Sequence, residues 1–125
     1  MASILDVEAS DWEEKVLGSV QLTLVEFWHH NCPFCKKLNP IIDELAEEYK
    51  DKLKFFRVNV LTDPKNREIA LENGVMGTPT IVFFCSGRSV GTVVGFQPKE
   101  RLRSTLNDML ENYRKCLDQS TEVET

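Results

Sequence analysis

Two cysteines three residues apart, Cys32 and Cys35, are the residues of this sequence best suited to chemistry. The preceding run, residues 22–28, is nearly all apolar and predicts a buried strand, whereas the run that follows predicts a long amphipathic helix. Cysteines in a Cys-x-x-Cys pattern at a strand-to-helix junction are typical of thiol–disulfide exchange, in which the pair alternates between dithiol and disulfide. The pattern therefore predicts a redox-active pair.

A zinc site is the alternative interpretation of the same stretch, because His29, Cys32 and Cys35 offer three candidate ligands at regular spacing. Structural zinc usually requires four ligands, often from a second cysteine pair about 15–20 residues further on. The next cysteine here is Cys85, and it stands alone. The spacing therefore favours thiol–disulfide exchange, and we expect neither a metal nor a cofactor.

Position in the predicted helix assigns different roles to the two cysteines. Cys32 occupies the N-cap position and Pro33 the first helical position, where a missing N–H is tolerated. The unpaired N–H groups and partial positive charge of a helix N-terminus favour a thiolate, so Cys32 is the predicted nucleophile. Cys35 lies one turn deeper on the apolar face, which suits a resolving thiol. His29 and His30 flank the site and would add positive charge when protonated, although incidental solvent-facing positions fit them equally well.

Length and composition bound the class of protein. A chain of 125 residues with a net charge of −5 fits one domain, which we expect to span residues 1–117, followed by a disordered acidic tail at 118–125. The negative charge argues against nucleic-acid binding, and no apolar run approaches the roughly 18 residues of a membrane helix. The N-terminus lacks the basic and apolar regions of a signal peptide, so a cytoplasmic location is expected. Because the cytosol keeps thiols reduced, Cys85 and Cys116 are predicted to be buried or incidental thiols.

Hydrophobic periodicity predicts the element order β-α-β-α-β-α-β-β-α. The first three strands are separated by helices and need crossover connections, whereas the last two form a hairpin. This order predicts an α/β fold with a mixed sheet of five strands, three of them parallel, flanked by four helices on both faces. Ser10 followed by Glu13 predicts a capping box at the start of the first helix.

Several spaced motifs give the chain a resemblance to the thioredoxin family over about residues 4–113. Residues 25–36 are similar to that family's active-site segment, with the acid, the tryptophan and both cysteines in register. Residues 74–80 resemble the segment that carries a cis-proline beside the site, Pro40 matches a helix kink, and residues 94–99 resemble the passage into the last helix.

The resemblance implies the thioredoxin fold and a protein-disulfide reductase that contributes to cell redox homeostasis through Cys32 and Cys35. Its implied partners are disulfide-containing client proteins and a thioredoxin reductase that donates electrons. We expect the protein to be a monomer.

The resemblance also implies roles for residues around the cysteines. Pro79 is expected to be cis and to pack against the disulfide, while Lys36 and Arg57 are expected to tune the site. Asn31 at the rim and Phe96 fit ordinary loop or packing positions as well. The implied client-docking residues are Trp28, Pro33, Phe34, Met76, Gly77, Thr78 and Phe96.

Glu26 interrupts the apolar strand, and a buried carboxylate is costly unless it is paired, hydrogen-bonded or protonated. The resemblance matches Glu26 with the family's buried acid, usually Asp, beneath the site. A carboxyl in an apolar setting has a raised pKa and can relay a proton, so Glu26 is predicted to take the proton of Cys35. A salt bridge with Arg57 on the neighbouring strand is the alternative, and both can hold together.

Two departures from the family pattern concern the cysteine motif itself. Pro33-Phe34 replaces the usual Gly-Pro, and Asn31 replaces a second tryptophan. Proline followed by an aromatic residue is similar to glutaredoxins, whose potentials of about −200 to −230 mV are less reducing than the value of about −270 mV for thioredoxin. The sequence therefore predicts a potential less reducing than that of thioredoxin. It leaves open a glutathione-dependent glutaredoxin-like reductase and a non-catalytic metal-handling or binding module.

Overall fold

The computed structural model describes residues 4–113 and residue 116. The strands are β1 (Ile4–Asp6), β2 (Thr23–Trp28), β3 (Lys54–Asn59), β4 (Thr80–Cys85) and β5 (Arg88–Val94). The helices are α1 (Ala9–Trp12), which continues as a π-helical turn over Glu13–Leu17, then α2 (Pro33–Glu48), α3 (Pro64–Glu72) and α4 (Lys99–Tyr113). Within this part of the chain, no helix combines the length and the apolar character needed to cross a membrane. The predicted tail at 118–125 lies outside the described residues.

The five strands form one sheet in the order β1-β3-β2-β4-β5. Strands β1, β3 and β2 are parallel, whereas β4 and β5 run antiparallel to their neighbours. Ser86 and Gly87 alone connect β4 to β5, and both have positive φ, as a tight hairpin turn requires. The structure confirms the predicted α/β class, the mixed five-stranded sheet and its C-terminal hairpin.

Side chains of the central strand β2 alternate between two cores, one on each face of the sheet. Leu24 packs with residues of α2 and α4, whereas Val25 and Phe27 pack with residues of α1 and α3. Because alternate residues of a strand share a face, Glu26 lies on the same face as Leu24. The buried carboxyl is therefore placed beneath α2, the helix that carries the cysteine pair.

The predicted capping box at Ser10 is wrong, because α1 begins at Ala9 and its N-cap is Glu8. Glu8 makes no side-chain capping bond. Instead, Ala9 N donates to Oδ1 of the buried Asn66 at 2.8 Å, and Asn66 Nδ2 donates to Glu8 Oε1 at 2.9 Å. A side chain 57 positions away thus satisfies the helix start, which a local capping pattern does not reveal.

The prediction of buried or incidental thiols at Cys85 and Cys116 is confirmed for their burial but wrong for their thiol state. Both residues are buried, but a disulfide joins them, with a Cα–Cα distance of 5.4 Å. They are 31 positions apart in sequence, so their spacing gives no hint of the contact. They meet because Cys85 ends β4, Cys116 follows α4, and both join the core on the α2 and α4 face.

Candidate active site

Cys32 and Cys35 lie at the start of α2, after a short loop that follows β2. Cys32 is the N-cap residue and Pro33 is the first helical residue, as predicted. The two Cα atoms are 5.2 Å apart, and a disulfide joins the sulfurs. Cys35 N donates to Cys32 Sγ at 3.1 Å, so the first helical turn places a backbone N–H beside this sulfur. In the reduced protein this donor would stabilise a thiolate on Cys32.

The two cysteines differ in exposure. Cys32 is 5% exposed and Cys35 is 0% exposed, although the intervening Pro33 and Phe34 both face solvent. An external disulfide can therefore reach Cys32 more readily than Cys35.

Glu26 and Arg57 form an ion pair beneath α2. They occupy paired positions of β2 and β3, and Arg57 Nε donates to Glu26 Oε1 at 2.9 Å. Arg57 Nη2 donates to the backbone oxygen of Asn39 at 3.3 Å and lies 3.1 Å from Asp43 Oδ1. The Glu26 side chain is fully buried, whereas that of Arg57 keeps 13% of its surface exposed. Arg57 thus connects the buried carboxyl with α2.

Asn39 completes this network, and it was not among the site residues predicted from the sequence. With the amide oriented so that its nitrogen faces the surrounding acceptors, Asn39 Nδ2 donates to Cys35 O at 2.9 Å and to Glu26 Oε2 at 2.6 Å. The buried acid is therefore hydrogen-bonded through one side chain to the backbone of Cys35. The signal that could have identified Asn39 is its spacing, because a residue four positions after Cys35 lies on the same helix face.

Burial raises the pKa of Glu26 from its ordinary value of 4.5 to about 7. Loss of hydration is the largest cause, and the negative charges of Asp43 and Asp6 act in the same direction. The charge and the hydrogen bond of Arg57 lower the pKa but do not cancel the effect of burial. Protonated and ionised Glu26 are therefore both populated near neutral pH.

The two histidines lie in the loop between β2 and α2. His29 Nδ1 accepts a hydrogen bond from Asn31 N at 3.2 Å. His30 packs edge-on against Trp28, with ring centroids 4.7 Å apart. These contacts order the loop that leads to Cys32.

The other two predicted tuning residues differ in position. The guanidinium carbon of Arg57 lies 6.0 Å from the ring centroid of Trp28, in addition to its ion pair with Glu26. Lys36 is exposed on the first turn of α2, where its backbone N donates to Cys32 O at 3.2 Å. Arg57 therefore belongs to the buried network, whereas Lys36 lies on the surface above it.

The segment that ends in Pro79 enters the sheet at the same end as the cysteine loop leaves it, because Thr80 at the start of β4 pairs with Phe27 near the end of β2. The Thr78–Pro79 peptide bond is cis, and Pro79 is buried. Pro79 O accepts a hydrogen bond from Gly95 N at 2.8 Å, which ties this segment to the residues after β5.

Exposed apolar side chains lie near this end of the sheet. Phe34 is 55% exposed and Met76 is 86% exposed. Phe96 packs against the core on the α2 and α4 face and is only partly exposed, in keeping with its alternative interpretation as a packing residue.

A groove of about 330 Å³ extends from the same segment toward α3. Predicted docking residues Met76, Gly77 and Thr78 form part of its wall. Six further lining residues were not predicted from the sequence: Val60, Leu61, Arg67, Ala70, Leu71 and Val75. The missed leucines are 58% and 49% exposed, and such exposure of large apolar side chains can be seen only once α3 is placed.

The zinc interpretation is not favoured. Across residues 4–113 and 116, no three side chains of His, Cys, Asp or Glu are arranged to hold a metal ion. In this structure the sulfurs of Cys32 and Cys35 are bonded to each other.

Comparison with protein families agrees with this fold and this site. The family model described as Thioredoxin matches residues 3–108, which is most of the chain. The chain belongs to the thioredoxin family. A thioredoxin from Griffithsia pacifica is 43% identical to it over 110 residues, which cover 88% of this chain and 98% of the relative.

Two further thioredoxins extend the comparison. The chloroplastic M-type thioredoxin of Pisum sativum is 38% identical over 107 residues, which cover 86% of this chain and 58% of the relative. The solved structure of Malassezia sympodialis thioredoxin (Mala s 13) matches with a TM-score of 0.75 at 28% identity, covering 86% of this chain and 91% of the other. The similarity therefore holds for the three-dimensional fold as well as for the sequence.

A member of the thioredoxin family whose Cys-x-x-Cys pair lies at disulfide distance is a thiol–disulfide oxidoreductase that reduces protein disulfides. Disulfide-containing client proteins and a thioredoxin reductase are the partners of this family in general. The glutaredoxin-like and non-catalytic alternatives are not favoured.

Proposed function

We propose that Cys32 attacks client disulfides and that Cys35 resolves the intermediate. The observation that carries the proposal is the position of Cys32 at the N-terminus of α2, with the Cys35 N–H at 3.1 Å from its sulfur. This donor and the helix dipole stabilise the thiolate that attacks. Cys35 is fully buried, so it reacts only with a sulfur already bound to Cys32.

The exchange proceeds in two steps. The Cys32 thiolate forms a bond to one client sulfur, and the other client sulfur leaves as a thiolate and takes up a proton. Cys35 then loses its proton and attacks Cys32, so that the Cys32–Cys35 bond forms and the second client thiol is released. The client gains two electrons and two protons, and the active-site pair is left as the disulfide seen in the structure.

Glu26 is the proposed acceptor of the Cys35 proton. Its pKa of about 7 lets it take up and return a proton near neutral pH. Asn39 bridges the carboxyl and the Cys35 backbone, and Arg57 fixes the other carboxyl oxygen. Asn39 and Arg57 are therefore proposed as positioning residues that act through Glu26.

The proposed client-docking surface comprises the exposed Phe34 and the segment from Met76 to Pro79, together with the groove that continues toward Leu61 and Leu71. An extended client segment can pair with the backbone at Thr78 while its apolar side chains enter this groove. Trp28, Pro33 and Phe96 are the remaining proposed docking residues and would contact a client around the disulfide.

We further propose that the protein acts as a monomer in the cytoplasm. A disulfide reductase must be returned to its dithiol form after each turnover. This requirement is met most readily in a compartment that keeps thiols reduced, such as the cytosol. The relative from Pisum sativum is named as chloroplastic, so fractionation of source cells with an antibody against the protein is the appropriate test. Recovery in an organelle or membrane fraction would contradict this location, and a dimeric mass in solution would contradict the monomer.

Insulin reduction tests the proposed function. NADPH and a thioredoxin reductase should support turnover by the wild type, and Cys32→Ser should abolish it. Cys85→Ser is the matched control because it removes a cysteine remote from the site, and it should retain full turnover. Activity that persists in Cys32→Ser, or turnover that requires glutathione and ignores the reductase, would contradict the proposal.

A further inference from the structure

Cys85 and Cys116 form a second sulfur pair at the end of the sheet opposite to the redox pair. Thr80 at the start of β4 pairs with Phe27 beside the active site, whereas Phe84 near the end of β4 pairs with Thr23 at the start of β2. The six residues of β4 span roughly 16 Å at the usual rise of a strand. The two pairs are therefore too far apart for direct exchange between their sulfurs.

The surroundings of the second pair oppose thiol chemistry. Cys85 is 6% exposed and Cys116 is 2% exposed, and both belong to the apolar core that includes Leu24 and Leu106. An apolar setting disfavours a thiolate. Cys116 is itself helical and lies on the C-terminal side of α4, where the helix dipole is negative, in contrast to the N-terminal position of Cys32.

The geometry of the second pair suits a cross-link between α4 and the sheet. The Cα–Cα distance of 5.4 Å lies within the range of about 4.4–6.8 Å that disulfides adopt. The bond closes a loop across a separation of 31 positions, which contains β5 and α4. A cross-link over such a loop restricts the unfolded chain and thereby stabilises the folded one.

Other contacts attach the beginning and the middle of α4 to α2. Lys99 Nζ lies 3.2 Å from Glu44 and 3.4 Å from Glu48, and Arg103 also pairs with Glu48. Further along, Tyr49 Oη donates to Asn107 Oδ1 at 2.8 Å. The Cys85–Cys116 bond differs from these contacts because it joins the end of the helix to the sheet itself.

We propose that Cys85–Cys116 is a structural disulfide that fastens the end of α4 to β4 and that stays oxidised while Cys32–Cys35 turns over. It forms as the chain folds, before the core closes around it, when the two thiols lose two electrons and two protons to a small-molecule disulfide such as glutathione disulfide, which becomes two thiols. Its reduction requires an external thiolate to attack one sulfur in line with the S–S bond, and the surrounding core blocks that approach. Buried structural disulfides can resist the glutathione pool, so the bond is compatible with a reducing compartment.

Thiol counting tests the separation of the two pairs. The full chain is refolded from urea in the presence of glutathione disulfide, treated in its native state with reduced glutathione, alkylated and weighed intact. Wild type should gain two alkyl labels in the native state, and it should gain four only after reduction in urea. The variant Cys32→Ser/Cys35→Ser should gain none in the native state and two in urea. Two results would overturn the proposal. One is labelling of native Cys32→Ser/Cys35→Ser as fast as that of Cys85→Ser/Cys116→Ser, and the other is oxidised wild type with only one disulfide.

Thermal unfolding tests whether the Cys85–Cys116 bond stabilises the fold, and it does so without a substitution at either of these cysteines. Oxidised Cys32→Ser/Cys35→Ser should unfold about 10 °C above the same chain after complete reduction, because reduction removes the constraint on the unfolded chain. The control Cys85→Ser/Cys116→Ser should keep full insulin reduction at temperatures where it is folded. Equal melting temperatures for the oxidised and reduced forms of the first variant would overturn a structural role for the bond.

Discussion

Arg57 Nε donates to Glu26 Oε1 at 2.9 Å across paired positions of β3 and β2, and yet burial keeps the pKa of Glu26 at about 7. The ion pair and the raised pKa coexist because hydration lost by a fully buried carboxyl outweighs the attraction of one guanidinium that also pairs with Asp43. The salt bridge and the proton-relay interpretations of Glu26 are therefore compatible.

Stability should depend on pH through Glu26. Because its pKa is raised to about 7 in the folded protein from the ordinary 4.5, the folded protein holds a proton that the unfolded chain releases between these pH values. The free energy of unfolding of oxidised wild type, relative to Glu26→Gln, should fall by roughly 3 kcal/mol as the pH rises through this window. Urea unfolding of both proteins at a series of pH values measures the difference. A difference that stays constant with pH would contradict the raised pKa.

Asn39 should set the pH dependence of client release. Asn39→Ala removes a donor to Glu26 Oε2, which should raise the pKa of Glu26 further and move the pH midpoint of the release rate upward by about one unit. Stopped-flow release from a preformed mixed disulfide measures this rate. Asn107→Ala removes an amide on α4 that bonds Tyr49, and it should leave the midpoint unchanged. A merely structural Asn39 would slow or destabilise the protein without moving the midpoint.

The redox potential should be less reducing than the value of about −270 mV typical of thioredoxin. The N–H of Cys35 beside Cys32 Sγ stabilises the thiolate of the reduced form, which makes the disulfide easier to reduce. The dipeptide between the two cysteines, Pro33-Phe34, is also the one that resembles glutaredoxins. Equilibration with known ratios of reduced and oxidised glutathione gives the potential, and Cys85→Ser/Cys116→Ser excludes a contribution from the second pair. A value at or below about −270 mV would count against this prediction.

Charge in the docking groove should weaken binding of protein clients. Met76→Asp places a carboxylate on a strongly exposed apolar residue and should raise the KM for insulin by about tenfold, with little change in kcat. A small aromatic disulfide that does not fill the groove should be reduced at the normal rate. Val20→Asp is the matched control, because Val20 is also exposed but precedes β2 at the opposite end of the sheet. Equal effects of the two substitutions would argue against client docking at Met76.

Local patterns in the sequence were sufficient to predict the architecture and the helix position of the redox pair. The apolar run of β2 specifies a central strand, and Pro33 after Cys32 specifies the helix start, because both signals depend on neighbouring residues. Glu26 stood out for the same reason, as a charge inside an apolar run.

The remaining features depend on contacts between distant parts of the chain. The cap of α1 comes from Asn66, and the second disulfide joins Cys85 to Cys116. Each contact forms only after strands and helices have packed, so no local pattern encodes it. Asn39 was missed for a subtler reason: its spacing from Cys35 was visible, but its contact with Glu26 depends on which face of β2 lies under α2.

Trapping of the mixed disulfide tests the central claim most directly. Reduced Cys35→Ser and Cys32→Ser are each mixed with a disulfide-containing client, and covalent adducts are measured by intact mass with and without reductant. We expect Cys35→Ser to accumulate a reductant-sensitive adduct through Cys32, because the residue that resolves it is missing. We expect no adduct for Cys32→Ser, in which the remaining Cys35 is buried. An adduct through Cys35 in equal yield would contradict the assignment of nucleophile and resolving thiol.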